Sequence, residues 1–440
     1  MIDLHRPDPS GAVTTIANAS FPAPFDSTLE YAAPARGPWN IVHVGMLVPE
    51  AHQIFVCAQG CLRGVVLTAA EMNATHRFST IAVEERNLLE GDMEQLILDG
   101  VRDIVEKLPY TPRAILLFTS CVHHFTGCDL EYVFRKLRKE FPHIDFTDCY
   151  MTPILRKTVT PDSKMRQQLY SLLYESDRDS GVSLVGTLFP IDQTSDLVRL
   201  VKQSGREFRT ITDYHDYDSF QQMAKSELCV SINPSSVLAG DTLEKRLGQK
   251  HLHLPLSYGY AEIRANLEKL CAAIGIEAPD FAGMEQAAEA ALNAAAEALT
   301  GWEIAIDYTA TIRSLGLARL LLSHGIKVSR IYADGFIAPE KEDFLWLKEH
   351  APELQIITTV HPKMSLLPHE AAESSGGKLL AIGQKAAYFT GTRYFVNLLE
   401  GGGHYGFDGI VRLADEMRQA AFEEKDVPSI IQVKGWGCCG

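Results

Sequence analysis

At 440 residues the chain is longer than one ordinary hydrophobic core, and about three domains are expected. It is 46% hydrophobic and 22% charged with a mean hydropathy of −0.04, and its longest apolar runs, such as "LARLLL" and "AILLF", fall far short of the ~20 residues of a membrane span. The formal net charge of −15, with no basic run, argues against the cationic footprint of a nucleic-acid binder.

The N-terminus, "MIDLHRPDPSGAV", carries acidic residues and prolines where a secretory leader needs a basic region and then an apolar one, so a cytoplasmic location is expected. Residues 1–38, rich in Pro, Ala, Ser and Thr, read as an irregular arm. Beyond them a strand and a helix alternate. "AILLFTS" (114–120) is a short apolar run, and "DLEYVFRKLRKEF" (129–141) an amphipathic helix. "VSLVGTLF" (182–189) precedes "TSDLVRLVKQSG", whose closing glycine suits a helix C-terminus. "ELCVSI" precedes a helix ending in "EKRLG", and "EIAIDYT" precedes "IRSLGLARLLLSHG". "KVSRIYAD", "LQIITTV" and "KLLAIG" supply further strands. Repeated βα units imply parallel sheets covered by helices on both faces. The expected fold is α/β, with three consecutive Rossmann-like domains: 39–180, 181–300 and 301–440, the last ending in a cysteine-bearing tail. The charged "YESDRDSG" marks the first seam, and the alanine-rich "MEQAAEAALNAAAEAL" reads as a connecting helix before the third domain.

Nine cysteines in a reducing compartment are ligands, catalytic thiols or buried apolar residues rather than disulfides. Cys57 and Cys61 stand in "FVCAQGCLRG", and Cys121 and Cys128 in "FTSCVHHFTGCDLEYVF". Cys121 follows a strand and precedes a helix, at the carboxyl end of a parallel sheet where ligands gather. Free N–H groups at such a helix start stabilise thiolates and anionic clusters. Iron–sulfur clusters are held mainly by cysteine thiolates, usually four. Cys57, Cys61, Cys121 and Cys128 can supply four from one chain, or fewer can be matched by a partner chain across an interface. The competing reading is that Cys57, Cys128 or both are bystanders. Cys149, Cys229 and Cys271 read as core, and His123 and His124 as turn residues able to tune the site by hydrogen bonding.

"TSCVHHFTGCDLEYVFRKL" resembles the nitrogenase component 1 superfamily, with Cys121 on that family's cluster-ligand cysteine. "EYAAPARG" followed by "IVHVGMLVPEAHQIFVCAQGCLRG" resembles its N-terminal segment, which places Gly60–Cys61 on a second ligand motif. "SELCVSINPSSVLAGDTLEKRLG" and "HYGFDGIVRLADEM" (404–417) resemble two later motifs, in the right order. The resemblance implies an oxidoreductase with a 4Fe–4S or larger cluster at a subunit interface. It also implies an ATP-hydrolysing iron protein-like reductase as electron donor, and a homodimer or a heterodimer with a homologous subunit. The electrons would pass to a substrate, a tetrapyrrole among the candidates, or to a second metallocofactor.

The departures narrow this expectation. "LEYAAP" lacks the further cluster cysteine of nitrogenase proper, Ile232 and Asn233 occupy the cofactor-cysteine position, and "RYFVNLL" lacks the cofactor histidine. A standard dinitrogen-reducing subunit is therefore not expected. The alternatives are a scaffold on which a metallocluster is built and handed on, and, last, a metal-free α/β enzyme. His404, in the glycine-rich "GGGHYGFDG", is the candidate proton donor, and Arg313 a candidate anion contact. Cys438 and Cys439, in "VKGWGCCG", read as part of a tail, while His52 and His361 read as structural. No Walker A sequence occurs, so ATP hydrolysis is assigned to the donor.

Overall fold

The apolar runs predicted as strands are sealed on both faces. Every residue of Ala51–Cys57 and of Ala114–Thr119 is buried, the pattern of parallel strands covered by helices on either side. The computed structural model describes residues 11–26, 41–151, 159–361, 364, 378–426 and 430. Two compact units emerge, one of Trp39–Pro190 with Gly205–Pro255, the other of Met1–Pro38, Ile191–Ser204 and Leu256–Gly440.

The Trp39–Pro190 unit holds two four-stranded parallel sheets. The first is built from β2 (Ala51–Cys57), β3 (Phe78–Ala82), β4 (Ala114–Thr119) and β5 (Asp145–Tyr150), in the order β3-β2-β4-β5. Side chains alternate along each strand, so Ile54, Val56, Ile115 and Leu117 pack with Ile97, Val101 and Val133 on one face. Phe55, Leu116 and Phe118 fill the other face, in a core that continues to Cys229, Ala239 and Leu243. The helices are α1 (Ile41–Met46), α2 (Gln59–Glu71), α3 (Glu85–Glu90), α4 (Met93–Lys107), α5 (Cys121–Thr126) and α6 (Leu130–Glu140). The second sheet contains β6 (Val182–Leu184), β7 (Phe208–Thr210), β8 (Leu228–Ser231) and β9 (Lys250–His253), ordered β7-β6-β8-β9. Its helices are α7 (Pro161–Tyr170), α9 (Tyr217–Phe220) and α10 (Val237–Leu247). The strand expected over 182–189 stops early. Gly186 turns out of extended geometry at φ +76°, packed against Ser236.

The other unit carries six strands: β1 (Val13–Thr15), β10 (Trp302–Asp307), β11 (Val328–Tyr332), β12 (Gln355–Ile357), β13 (Lys378–Ile382) and β14 (Phe395–Val396). Their order is β1-β12-β11-β10-β13-β14, parallel except for β1, which runs antiparallel to β12 with Val13 opposite Ile357. Within the segment read as an irregular arm, these three residues thus form an edge strand. A three-residue strand has too little pattern to announce itself, and only its pairing partner makes it one. The helices are α8 (Asp196–Gln203), α11 (Tyr260–Ile274), α12 (Phe281–Ala298), α13 (Ser314–Ser323), α14 (Lys341–His350), α15 (Gln384–Thr390) and α16 (Gly406–Ala420). The alanine-rich segment is α12, which buries Ala288, Leu292 and Ala295 and packs against α16. Among the described residues no helix is long and apolar enough to cross a membrane.

Candidate metal centre

Cys57, Cys61 and Cys121 stand at the carboxyl edge of the first sheet, where β2 and β4 end, and Cys128 lies apart from them beyond α5. β2 ends at Cys57, which is fully buried. Ala58 stays extended (φ −61°, ψ 148°) and α2 then starts, with Cys61 exposed in its first turn. Ala58 has no side chain to cap that turn, and the Cys61 N–H bonds the Ala58 main-chain oxygen at 2.9 Å. A Cβ at Gly60 or Gly64 would meet nothing within 4 Å, so this face of α2 is open.

β4 delivers the second thiol. Ser120 caps α5 in a capping box, its side chain accepting from the N–H of His123 while the His123 ring accepts from the Ser120 N–H. The donor–acceptor distance from Ser120 N to His123 Nδ1 is 3.2 Å. Cys121 is therefore the first residue of a short helix that the sequence did not announce. The helix expected from Asp129 is α6, and Asp129 caps it by accepting from Tyr132 N at 2.9 Å. Gly127, at φ +67°, ends α5 and brings Cys128 back towards α4. There Glu94 accepts the Asp129 N–H at 2.7 Å and bonds the Cys128 side chain.

Electrostatics separate the thiols. Burial pushes the Cys57 thiol up to about 12, and Cys61 and Cys121 lie near enough to push it further the same way. Burial, with Glu94 next, also raises Cys128 to about 12. Cys57 needs a cation to ionise, and a metal cluster supplies one. Cys128 faces a carboxylate, which favours the thiol. Among the described residues no three His, Cys, Asp or Glu side chains converge as a mononuclear metal site requires. By chemistry the donor set is one of soft sulfur ligands, the kind that hold iron–sulfur clusters, following two adjacent strands beside the open face of α2 at Gly60 and Gly64. Phe125 on α5 is 73% exposed and Leu89 on α3 81%, with Leu88 and Val66 also exposed, on helices that start at this sheet edge and that also expose charges such as Arg63 and Arg86.

The comparisons now have a geometry to stand beside. The sequence profile described as nitrogenase component 1 type oxidoreductase matches residues 41–421. The chain belongs to that family. A search of curated proteins gave no match. Among solved structures, nitrogenase Cp1 at pH 6.5 aligns with a TM-score of 0.65 at 16% identity, covering 90% of this chain and 94% of the other. Nitrogenase Cp1 at pH 5 aligns with a TM-score of 0.55 at 14% identity, covering 94% of each chain. Identities this low establish the shared α/β fold. The nitrogenase component 1 family is one of oxidoreductases.

Several family motifs in this chain have a packing explanation. In "HYGFDG", Gly406 has φ +77°, and a Cβ there would lie 2.3 Å from Asp196 Oδ2. Buried Asp196 accepts the N–H groups of Phe407 at 2.7 Å and Asp408 at 3.1 Å, so a carboxylate from α8 caps α16. His404 Nε2 lies 3.1 Å from Glu416 Oε1, which ties its loop back to α16. Arg313 is buried and donates from Nη2 to Glu262 at 2.7 Å, while its Nε and Nη1 have no partner among the described residues.

Cys149, Cys229 and Cys271 are buried, as expected of core residues. His52 is buried between Tyr110 and Ser79, each at 2.8 Å, and burial lowers its ring to about 4. Cys438, Cys439 and "LEYAAP" lie outside the described residues. The sequence reading missed Glu94 and Asp196. Both are acids that act on a distant stretch of chain, and neither stands in a spacing that announces it.

Proposed function

We propose that this chain is a nitrogenase-like reductase component whose iron–sulfur cluster, 4Fe–4S or larger, is held by Cys57, Cys61 and Cys121. The supporting observation is that exposed Cys61 and partly exposed Cys121 follow two adjacent strands and both lie close enough to buried Cys57 to act on it electrostatically. Thiols that open onto the surface suit a cluster completed by a second subunit, either another copy or a homologue. Cys128, bonded to Glu94, joins only a larger cluster. The cluster supplies one-electron transfer, refilled by an ATP-hydrolysing iron–sulfur partner. Electrons leave it for a substrate, a tetrapyrrole among them, or for a second metallocofactor. His404 is the proposed proton donor, with Glu416 holding its ring, and the three domains 39–180, 181–300 and 301–440 are the proposed functional division. A cytoplasmic, oxygen-sensitive protein follows from this reading.

The chain is not proposed to reduce dinitrogen in the standard way. Ile232 and Asn233 are buried and neither can replace a cysteine ligand. Iron and acid-labile sulfide, measured per chain after anaerobic purification, test the proposal. About two irons per chain mean one four-iron cluster shared by a dimer, and about four bring in Cys128 or a second cluster. Iron at trace level, with stability indifferent to air, rejects the cluster and leaves a metal-free α/β enzyme. The exposure of Cys61 also suits the second reading, a scaffold that hands its cluster on. Loss of iron to an acceptor protein, without turnover in the presence of the electron donor, selects it.

A further inference from the structure

At the amino edge of the first sheet, opposite the cysteines, lies a cavity of about 570 Å³, a volume that suits a small-molecule ligand. β2 runs between the two places, from Ala51 in the cavity lining to Cys57, about 20 Å away along the strand. Met46, Leu47 and Pro49, where α1 turns into β2, give the lining an apolar part. Rings supply much of the rest. His76 and Tyr110 come from the segments that lead into β3 and β4, and Tyr214 and His215 from the one that leads into α9. Tyr110 donates its hydroxyl to the His76 main-chain oxygen at 2.9 Å and lies 2.8 Å from His52 Nδ1, so its ring face is what remains for a ligand.

Arg77 brings the charge. Its guanidinium donates from Nε to the Ala51 oxygen at 3.0 Å, from Nη1 to that of Met46 at 3.1 Å, and from Nη2 to that of Val48. These acceptors are all main-chain carbonyls, so the turn is pinned while no carboxylate among the described residues neutralises the cation. Three of its five N–H groups are spent, and one hydrogen on each terminal nitrogen is left. The charge is felt behind the lining, where burial and then Arg77 hold the His52 ring low. Glu50, the acid of the lining, accepts the Tyr217 N–H at 2.8 Å and lies close enough to Arg113 to act on it. Asp216, next to His215, accepts the Ser219 N–H at 2.7 Å and so caps α9.

We infer that this cavity binds an aromatic carboxylate. The carboxylate meets Arg77 in a charge-assisted hydrogen bond, and the ring lies against Tyr110 and Tyr214 over the apolar turn. A phosphate dianion would call for a second cation, and the lining holds no lysine and no other arginine. A metal ion is not the occupant, since among the described residues no three His, Cys, Asp or Glu side chains converge. The site uses none of the cysteines, and it stands or falls separately from the cluster.

Calorimetric titration of the full chain with para-fluorobenzoate tests it, alongside NMR of the histidine rings. Saturable binding is expected, with the neutral isostere para-fluorobenzamide and the ringless anion acetate each about tenfold weaker. The ring current of bound benzoate shifts the His76 and His215 resonances in the wild type, which locates the ligand without any substitution. Arg77→Gln brings benzoate down to the affinity of the amide. Arg77 also pins a turn, so if that variant does not fold, the amide decides the point by removing the charge from the ligand instead. Tyr214→Ala weakens benzoate about threefold or more, and Glu50→Gln, which removes the acid of the lining, tightens it by a similar factor. Cys61→Ser, beyond the far end of β2, is the control and changes nothing. Equal affinity for benzoate and the amide, or for benzoate and acetate, overturns the proposal. So does binding that leaves both imidazoles unmoved, or no saturable binding to the wild type.

Discussion

Gly406 and Asp196 belong to one joint, seen from two stretches of sequence. A methyl group at position 406 would meet Asp196 Oδ2 at 2.3 Å on a backbone already at φ +77°. Gly406→Ala is expected to cost about 2–4 kcal/mol, from left-handed strain plus overpacking, read as a lower midpoint in urea. The cysteines act at the same scale. Cys61→Ser and Cys121→Ser should each remove most of the iron bound per chain while leaving the far-ultraviolet dichroism unchanged, because neither side chain is fully buried. Cys149→Ser should keep the iron and lose stability, since that thiol is 1% exposed in the core. Equal iron loss in all three would remove the case for a site at the β2 and β4 ends.

At the scale of elements, helix starts are held by acids from elsewhere in the chain. Glu340 is buried and accepts the N–H groups of Leu315 at 2.8 Å and Gly316 at 3.4 Å, in the first turn of α13. Burial pushes its carboxyl up to about 7 from 4.5. The folded protein therefore keeps a proton that the unfolded chain has already released. The stabilisation is complete below pH 4.5 and is lost as pH rises through 7, a change of roughly 3 kcal/mol at most. Urea midpoints across that interval should fall with rising pH, and Glu340→Gln should flatten the slope. Asp196→Ala should uncap α16 and cost about 1–3 kcal/mol, with the loss of exchange protection concentrated at Phe407 and Asp408.

At the scale of the whole molecule, the exposed apolar side chains of α3 and α5 make the proposed assembly testable. Leu89→Lys together with Phe125→Glu should give a chain that folds normally but sediments as a monomer and retains less iron. Both side chains are mostly exposed, so folding does not depend on them. An unchanged sedimentation coefficient and iron content would remove this face from the proposed subunit contact.

The sequence by itself determined the βα rhythm, because continuous apolar runs and amphipathic repeats are local properties. It marked the start of α6 through Asp129 and the end of α10 through Gly248, and it picked out the cysteines that follow strands. It could not show that Val13–Thr15 close the edge of a sheet more than three hundred residues away in the chain. Nor could it set Glu94 against Cys128, Asp196 beneath Gly406, or bring Arg77, Tyr110 and Tyr214 to one cavity. Hydrogen bonds and burial depend on distance in space, and only parallel strand pairing and helix packing bring those residues together.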